Sequence, residues 1–136
     1  MKISNAKKLI GCMTLCASIV GFSSLADAAT SHGYSATVPV TTDYESYLES
    51  KQSSDSNATN EVSYVEGGRK LVSWVEEYTY RTNLTNEVSY SSTGKKYMKY
   101  YNASKANGEG CHLNISTAIN NWTSTKTSGY WSPDSL

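Results

Sequence analysis

Phenylalanine, histidine and cysteine are nearly missing from this chain of 136 residues, and so is any excess of positive charge. Its one phenylalanine, Phe22, and two of its three cysteines, Cys12 and Cys16, fall within the first 28 residues. Cys111 therefore stands alone in the remainder, where no internal disulfide can form. Two histidines and one such cysteine do not make a zinc cluster, and Asp43, Glu45, Glu49 and Asp55 lack the loop spacing of a calcium site. Past residue 28 the chain carries 9 basic against 11 acidic side chains, and its densest basic points, Arg69-Lys70 and Lys95-Lys96, are two residues long. Nucleic-acid binding runs on clustered cations, so no such partner is expected. No apolar run reaches the roughly 20 residues that a membrane-spanning helix needs.

What is present at the N-terminus is a leader. Lys2, Lys7 and Lys8 precede an uncharged stretch from Leu9 to Leu25, and Ala26-Asp27-Ala28 places small residues where a signal peptidase reads them. Residues 1–28 are predicted to be a secretory signal peptide, which makes the protein extracellular and leaves residues 29–136 as one domain with no stable membrane anchor. LIGC at 9–12 imitates a lipoprotein box, but only Leu9 separates it from the lysines, so lipidation is not expected.

The rest is rich in Ser, Thr, Asn, Tyr and Val, without a sustained helical stripe, and this favours β-structure. NATNEVSY at 57–64 returns as NLTNEVSY at 83–90, seven of eight positions matching at a spacing of 26. Each copy runs on into a glycine turn and a second apolar stretch, Gly68 aligning with Gly94 and Trp74 with Tyr100. The repeat predicts two related β-hairpins. Alternation assigns Val62, Tyr64, Val72 and Trp74 to the inner face of the first, and Val88, Tyr90, Met98 and Tyr100 to that of the second, with Ser63, Ser73, Ser89 and Lys99 outward.

HGYSATVPV reads as an edge strand closed by Pro39, residues 43–51 as a strand or irregular edge, 52–60 and 104–110 as polar loops, and 111–119 and 124–131 as strands. About eight short strands at these turn spacings predict an all-β fold, a small antiparallel β-sandwich.

The ending SGYWSPDSL, preceded by GEGCHLNISTAINNW, resembles a group of small exported proteins of Gram-positive bacteria. The resemblance covers the leader and the C-terminal third; it implies a β-sandwich of about a hundred mature residues and carries over no catalytic residue. CHLNI departs from the alternation of apolar and basic residues often found in that group.

Candidate chemistry is thin. Cys111 and His112 are strand neighbours and point to opposite faces, so they cannot act as nucleophile and base, and Glu76-Glu77 fail as a glycosidase pair for the same reason. Cys111 shares a face with Leu113 and Ile115 and reads as a buried thiol. No catalytic, cofactor or metal residue is assigned, and an enzyme is not expected.

Aromatic content is what stands out: 11 tyrosines and three tryptophans, all past residue 28. Many must fill the core, because aliphatic residues are sparse. Tyr78, Tyr80, Tyr97, Tyr101 and Tyr130 are the candidates for an exposed binding surface, since tyrosine offers an apolar ring and a polar tip to sugars or proteins. The expected function is a secreted, non-enzymatic interaction protein whose partner is cell-wall polymer or another extracellular protein. The alternative is a bacteriocin-like or toxin-like protein acting on a competitor's envelope. In the closing GYW, Trp131 is expected to anchor in the core and Tyr130 to face outward.

Overall fold

The computed structural model describes residues 30–136, so the leader predicted over 1–28 lies outside the described residues. Nine strands run in chain order: β1 (His32–Val38), β2 (Tyr44–Glu45), β3 (Glu49–Ser50), β4 (Asn57–Val65), β5 (Leu71–Glu77), β6 (Val88–Tyr90), β7 (Gly94–Lys99), β8 (Gly110–Thr117) and β9 (Thr125–Ser132). They form two antiparallel sheets, one ordered β1-β9-β4-β7 and the other β2-β8-β5-β6, with β3 also paired to β8. The predicted all-β fold is correct, and the core lies between the sheets.

Alternation builds that core where it was expected. Tyr34, Ala36 and Val38 enter it from β1, whose ladder stops just before Pro39 at the sheet edge. Cys111, Leu113 and Ile115 enter it from β8, and Trp131 from β9 is only 1% exposed. Tyr34, Tyr90, Tyr100 and Trp131 supply the bulk that so few aliphatic residues cannot. The segment at 43–51 gives two strands of two residues each, both laid on β8. Strand β4 begins at Asn57, inside the stretch expected as a loop, and the loop at 104–110 contains part of a one-turn helix, α1 (Ala103–Ala106), capped by the Asn102 side chain.

The predicted hairpins are not hairpins. Strand β4 pairs with β7 and β9 in one sheet, while β5 pairs with β6 and β8 in the other. Each copy of the repeat is thus an arch that crosses from sheet to sheet, the first through Gly67 and Gly68, both at the positive φ that glycine adopts without strain. The two arches interlock, since the leading strand of each pairs with the returning strand of the other. Within an arch the strands meet by side chains: Asn60 on β4 donates through Nδ2 to Ser73 Oγ on β5 at 3.4 Å and accepts from Tyr34 Oη at 2.8 Å. Alternating polarity around a glycine turn is the same for a hairpin and an arch, because both turn one face of each strand to the core.

Two face assignments change with it. In β5 the inward set is Leu71, Ser73 and Val75, in register with Thr117, Ile115 and Leu113 of β8, and Val72 and Trp74 take the other side. In β4 the register against β9 shifts between Val62 and Tyr64, so Val62 is buried and Tyr64 is half-exposed. The bulge adds one residue to the strand and reverses the parity beyond it. In the second copy Val88 and Tyr90 do both pack on the core, and Met98 and Tyr100 keep their expected face.

Candidate functional site

At the end of the sandwich where β5 stops, Glu77 organises a tight turn. Its backbone amide donates to Thr82 O at 2.8 Å, its carbonyl accepts from Arg81 N, and its carboxylate accepts from the amides of Thr79 and Tyr80. The Tyr80 amide first, and the Thr79 amide with it, hold the Glu77 carboxyl below the usual carboxylate range despite the opposing effect of desolvation. Arg81 closes the turn at φ 57, a left-handed conformation uncommon for a residue with a side chain. The turn projects Tyr80, which is 83% exposed.

Opposite it, the end of β7 sends consecutive rings to opposite sides. Tyr100 goes inward, its hydroxyl donating to Pro133 O at 2.6 Å, and Tyr101 goes outward with 70% of its surface exposed. Tyr101 is fixed by its amide, which donates to Leu84 O at 3.0 Å, and by Asn102, which caps α1 by accepting from Lys105 N at 3.0 Å. Both rings line one cleft of about 370 Å³. Leu84 and Ala106 give it apolar wall; Thr82, Asn83, Asn102, Lys105 and Glu109 give it hydrogen-bonding and charged groups.

The five tyrosines expected on one surface are divided. Tyr80 and Tyr101 share the cleft. Tyr78, in the same turn as Tyr80, meets the His112 ring edge-on at 6.1 Å. Tyr97 and Tyr130 are half-exposed on the outer face of the first sheet, where they fall in register with Thr59 and Glu61 of β4. Period-two alternation placed Tyr34, Tyr90 and Tyr100 inward but misplaced Tyr64, which lies past the β4 bulge, and which sheet carries each exposed ring depends on the arches.

Beside the cleft turn is a cluster that spacing along the chain does not show. Strand register sets Glu76 opposite His112 and Glu45 opposite Asn114, two residues away on the same strand. The donor atoms of Glu45, Glu76 and His112 lie within 4.8 Å of one another, a set able to ligate a divalent cation. Arg81 fills that role: Nε reaches Glu76 Oε1 at 3.1 Å, Nη1 reaches His112 Nε2 at 3.1 Å, and Nη2 binds Glu45. Nε2 of His112 thus faces both the guanidinium and, at 3.6 Å, the Glu76 carboxylate. Cys111, on the other face of β8, is buried, and burial together with Asp134 pushes its thiol up to about 12. It is no nucleophile at neutral pH.

Comparison with protein-family models, curated proteins and solved structures finds no match. The chemistry of the Tyr80–Tyr101 cleft is accordingly what the functional reading rests on.

Proposed function

We propose that this is a secreted, non-enzymatic binding module that holds a short segment of a hydroxyl-rich polymer, of the cell-wall glycan type, between Tyr80 and Tyr101. The observation that carries it is the pairing of these two exposed rings across one cleft of ligand size. Tyrosine ring faces pack on the C–H faces of sugar rings, while amides nearby serve hydroxyls as donors and acceptors. Asn83 is available for both, and Asn102, whose Oδ1 is committed to the α1 cap, keeps its Nδ2 hydrogens. The Glu77 carboxylate is spent on the turn, which leaves Glu109 without the second carboxylate that acid–base cleavage of a glycan uses and favours binding as the work of this cleft. The leader-like residues 1–28 support export, and mass spectrometry of protein from culture medium should find an N-terminus at Ala29 or Thr30.

Sedimentation with purified peptidoglycan and teichoic acid tests the site. Tyr80→Ala and Tyr101→Ala should each weaken binding by about tenfold or more, in line with the loss of an aromatic contact at the centre of an interface. Tyr97→Ala should leave it intact. Loss of binding in Tyr97→Ala or Tyr130→Ala alone would move the site to the outer face of the first sheet.

A further inference from the structure

The other end of the sandwich carries two large apolar side chains with nothing over them. In the loop 118–124 between β8 and β9, Ile119 is 96% exposed and Trp122 is 81% exposed. The loop itself is well fastened. Asn121 N donates to Ala118 O at 2.7 Å, closing a turn that has Ile119 at its first central position. Asn121 Nδ2 donates to Lys70 O and to Thr125 Oγ1, Asn121 Oδ1 accepts from Thr123 N, and Ala118 N donates to Lys70 O. Ile119 and Trp122 are thus presented on a backbone whose ordering entropy has already been lost in folding.

The charges around this tip differ from those of the chain as a whole. Lys70 is joined to the loop through its carbonyl, Arg69 Nη1 donates to Ser124 O at 3.4 Å, and Lys126 follows the loop on β9. Glu66 accepts from Arg69 Nη1 and from the Lys126 amide, and Asp43, just before β2, is the other acid at this end. Three cations and two acids therefore surround the loop that carries the indole, a small positive excess in a domain that has more acidic than basic side chains overall, with Arg69 paired to Glu66 and Lys70 and Lys126 exposed. A tryptophan and an isoleucine on a fixed tip, flanked by lysine and arginine, match the boundary of an anionic bilayer, where indole rings sit at headgroup depth and cations meet lipid phosphates.

We propose that the loop 118–124 is a peripheral, reversible docking site for an anionic lipid surface, with Trp122 and Ile119 entering the headgroup boundary and Lys70 and Lys126 meeting phosphates. Bound in this way, the molecule would hold the Tyr80–Tyr101 cleft at its far end, away from the bilayer.

The chain provides its own probe. Trp74 and Trp131 are buried, so a change in tryptophan emission on adding vesicles reports Trp122. A chain starting at Ala29, which carries both sheets entire, should float with phosphatidylglycerol vesicles and show blue-shifted emission, and should do neither with phosphatidylcholine. Ile119→Ser combined with Trp122→Ser should lower the floated fraction about tenfold, and Lys70→Glu combined with Lys126→Glu should do the same. All four side chains are exposed, so the variants should melt with the parent. Three results would overturn the proposal: unshifted emission with no flotation on phosphatidylglycerol, flotation that survives the loss of Ile119 and Trp122, or equal binding to phosphatidylcholine. A blue shift that grows with protein concentration in the absence of lipid would also overturn it, and would assign the tip to a second copy of this chain.

Discussion

Lys51 and Asp134, 83 residues apart, meet at 2.9 Å in the interior of the molecule. The ammonium lies 4.4 Å from the centre of the Tyr100 ring, and the carboxylate also accepts from Ser53 Oγ and from the amides of Gln52 and Ser53. Burial pushes the Asp134 carboxyl up, but the Ser53 hydroxyl, Lys51 and the Gln52 amide together outweigh it and leave the group below its ordinary value. The C-terminal tail is thereby fastened to the loop that enters β4.

Removing one partner should cost more than the pair is worth. Asp134→Ala leaves a buried ammonium without a counter-charge and is expected to destabilise by about 3–5 kcal/mol in urea melts. Because the folded-state pKa of Asp134 is depressed, its contribution is complete above the ordinary aspartate value of about 3.9 and is lost as pH falls through the lower folded value. The melting temperature of the parent should accordingly fall more steeply with acid below about pH 4 than that of Asp134→Asn.

Trp131 and Tyr130 end the last strand with opposite orientations. Trp131→Ala opens a cavity in the core and should cost about 3–5 kcal/mol. Tyr130 lies over Gly33 of β1, where a methyl group at Gly33 would sit 3.4 Å from its ring, and it is half-exposed. Tyr130→Ala should cost about 1 kcal/mol, the scale of a cross-strand contact. Denaturant midpoints for the two variants separate the roles, and equal losses would contradict them.

The arches can be tested by cross-linking. Glu61 of β4 stands directly opposite Lys95 of β7, although one belongs to the first copy of the repeat and the other to the second. Cysteines placed at both positions should oxidise to a disulfide, because directly opposite strand residues bring their Cα atoms within bridging range. Val62→Asp, one position along and facing the core, should destabilise by several kcal/mol, whereas Ser63→Asp should change the melting temperature little.

Gly129 sits where β9 passes the β4 bulge. A Cβ there would collide with the Glu61 carbonyl oxygen, which belongs to the backbone of a paired strand and cannot move aside. Gly129→Ala should therefore cost about 2–3 kcal/mol or more, a strained overpacking, and Gly33→Ala, which meets the Tyr130 ring and the Gly129 carbonyl oxygen at ordinary contact distances, should stay within about 1 kcal/mol. Thermal melts of the two alanine variants give the comparison.

Faces were legible in strands without a bulge or a buried polar residue, as in Tyr34-Ala36-Val38 and Cys111-Leu113-Ile115, whereas Val72-Ser73-Trp74 and Val62-Ser63-Tyr64 alternate in the same way and were misread, the first because Ser73 is the buried partner of Asn60 and the second because of the bulge. Strand partners were not legible. NATNEVSY and NLTNEVSY carry nearly the same local instructions, yet 57–64 is continuous strand and only Val88–Tyr90 is strand in the second copy. In that copy the segment before Val88 is held at a corner, Thr85 bridging Tyr100 and accepting from Val75 N. Tertiary pairing overrode a nearly identical local sequence. The Arg81 cluster and the Lys51–Asp134 pair have no local signature at all, because their members approach only through sheet register and the return of the tail. Of the cleft, the exposure of Tyr80 and Tyr101 was foreseen; their proximity follows from the turn at Glu77 and the cap at Asn102.

The interlocked order of strands also fixes when folding can happen. Strand β1 has no ladder partner until β9 is present, β2 and β3 wait for β8, and β4 waits for β7 and β9. The earliest strand pairing open to the chain is that of β5 with β6, so residues 30–70 have no strand partner until β7, β8 and β9 are present. Contacts of such long sequence separation make for slow, late and concerted closure, with a fold completed only when the last strand arrives to lie between β1 and β4.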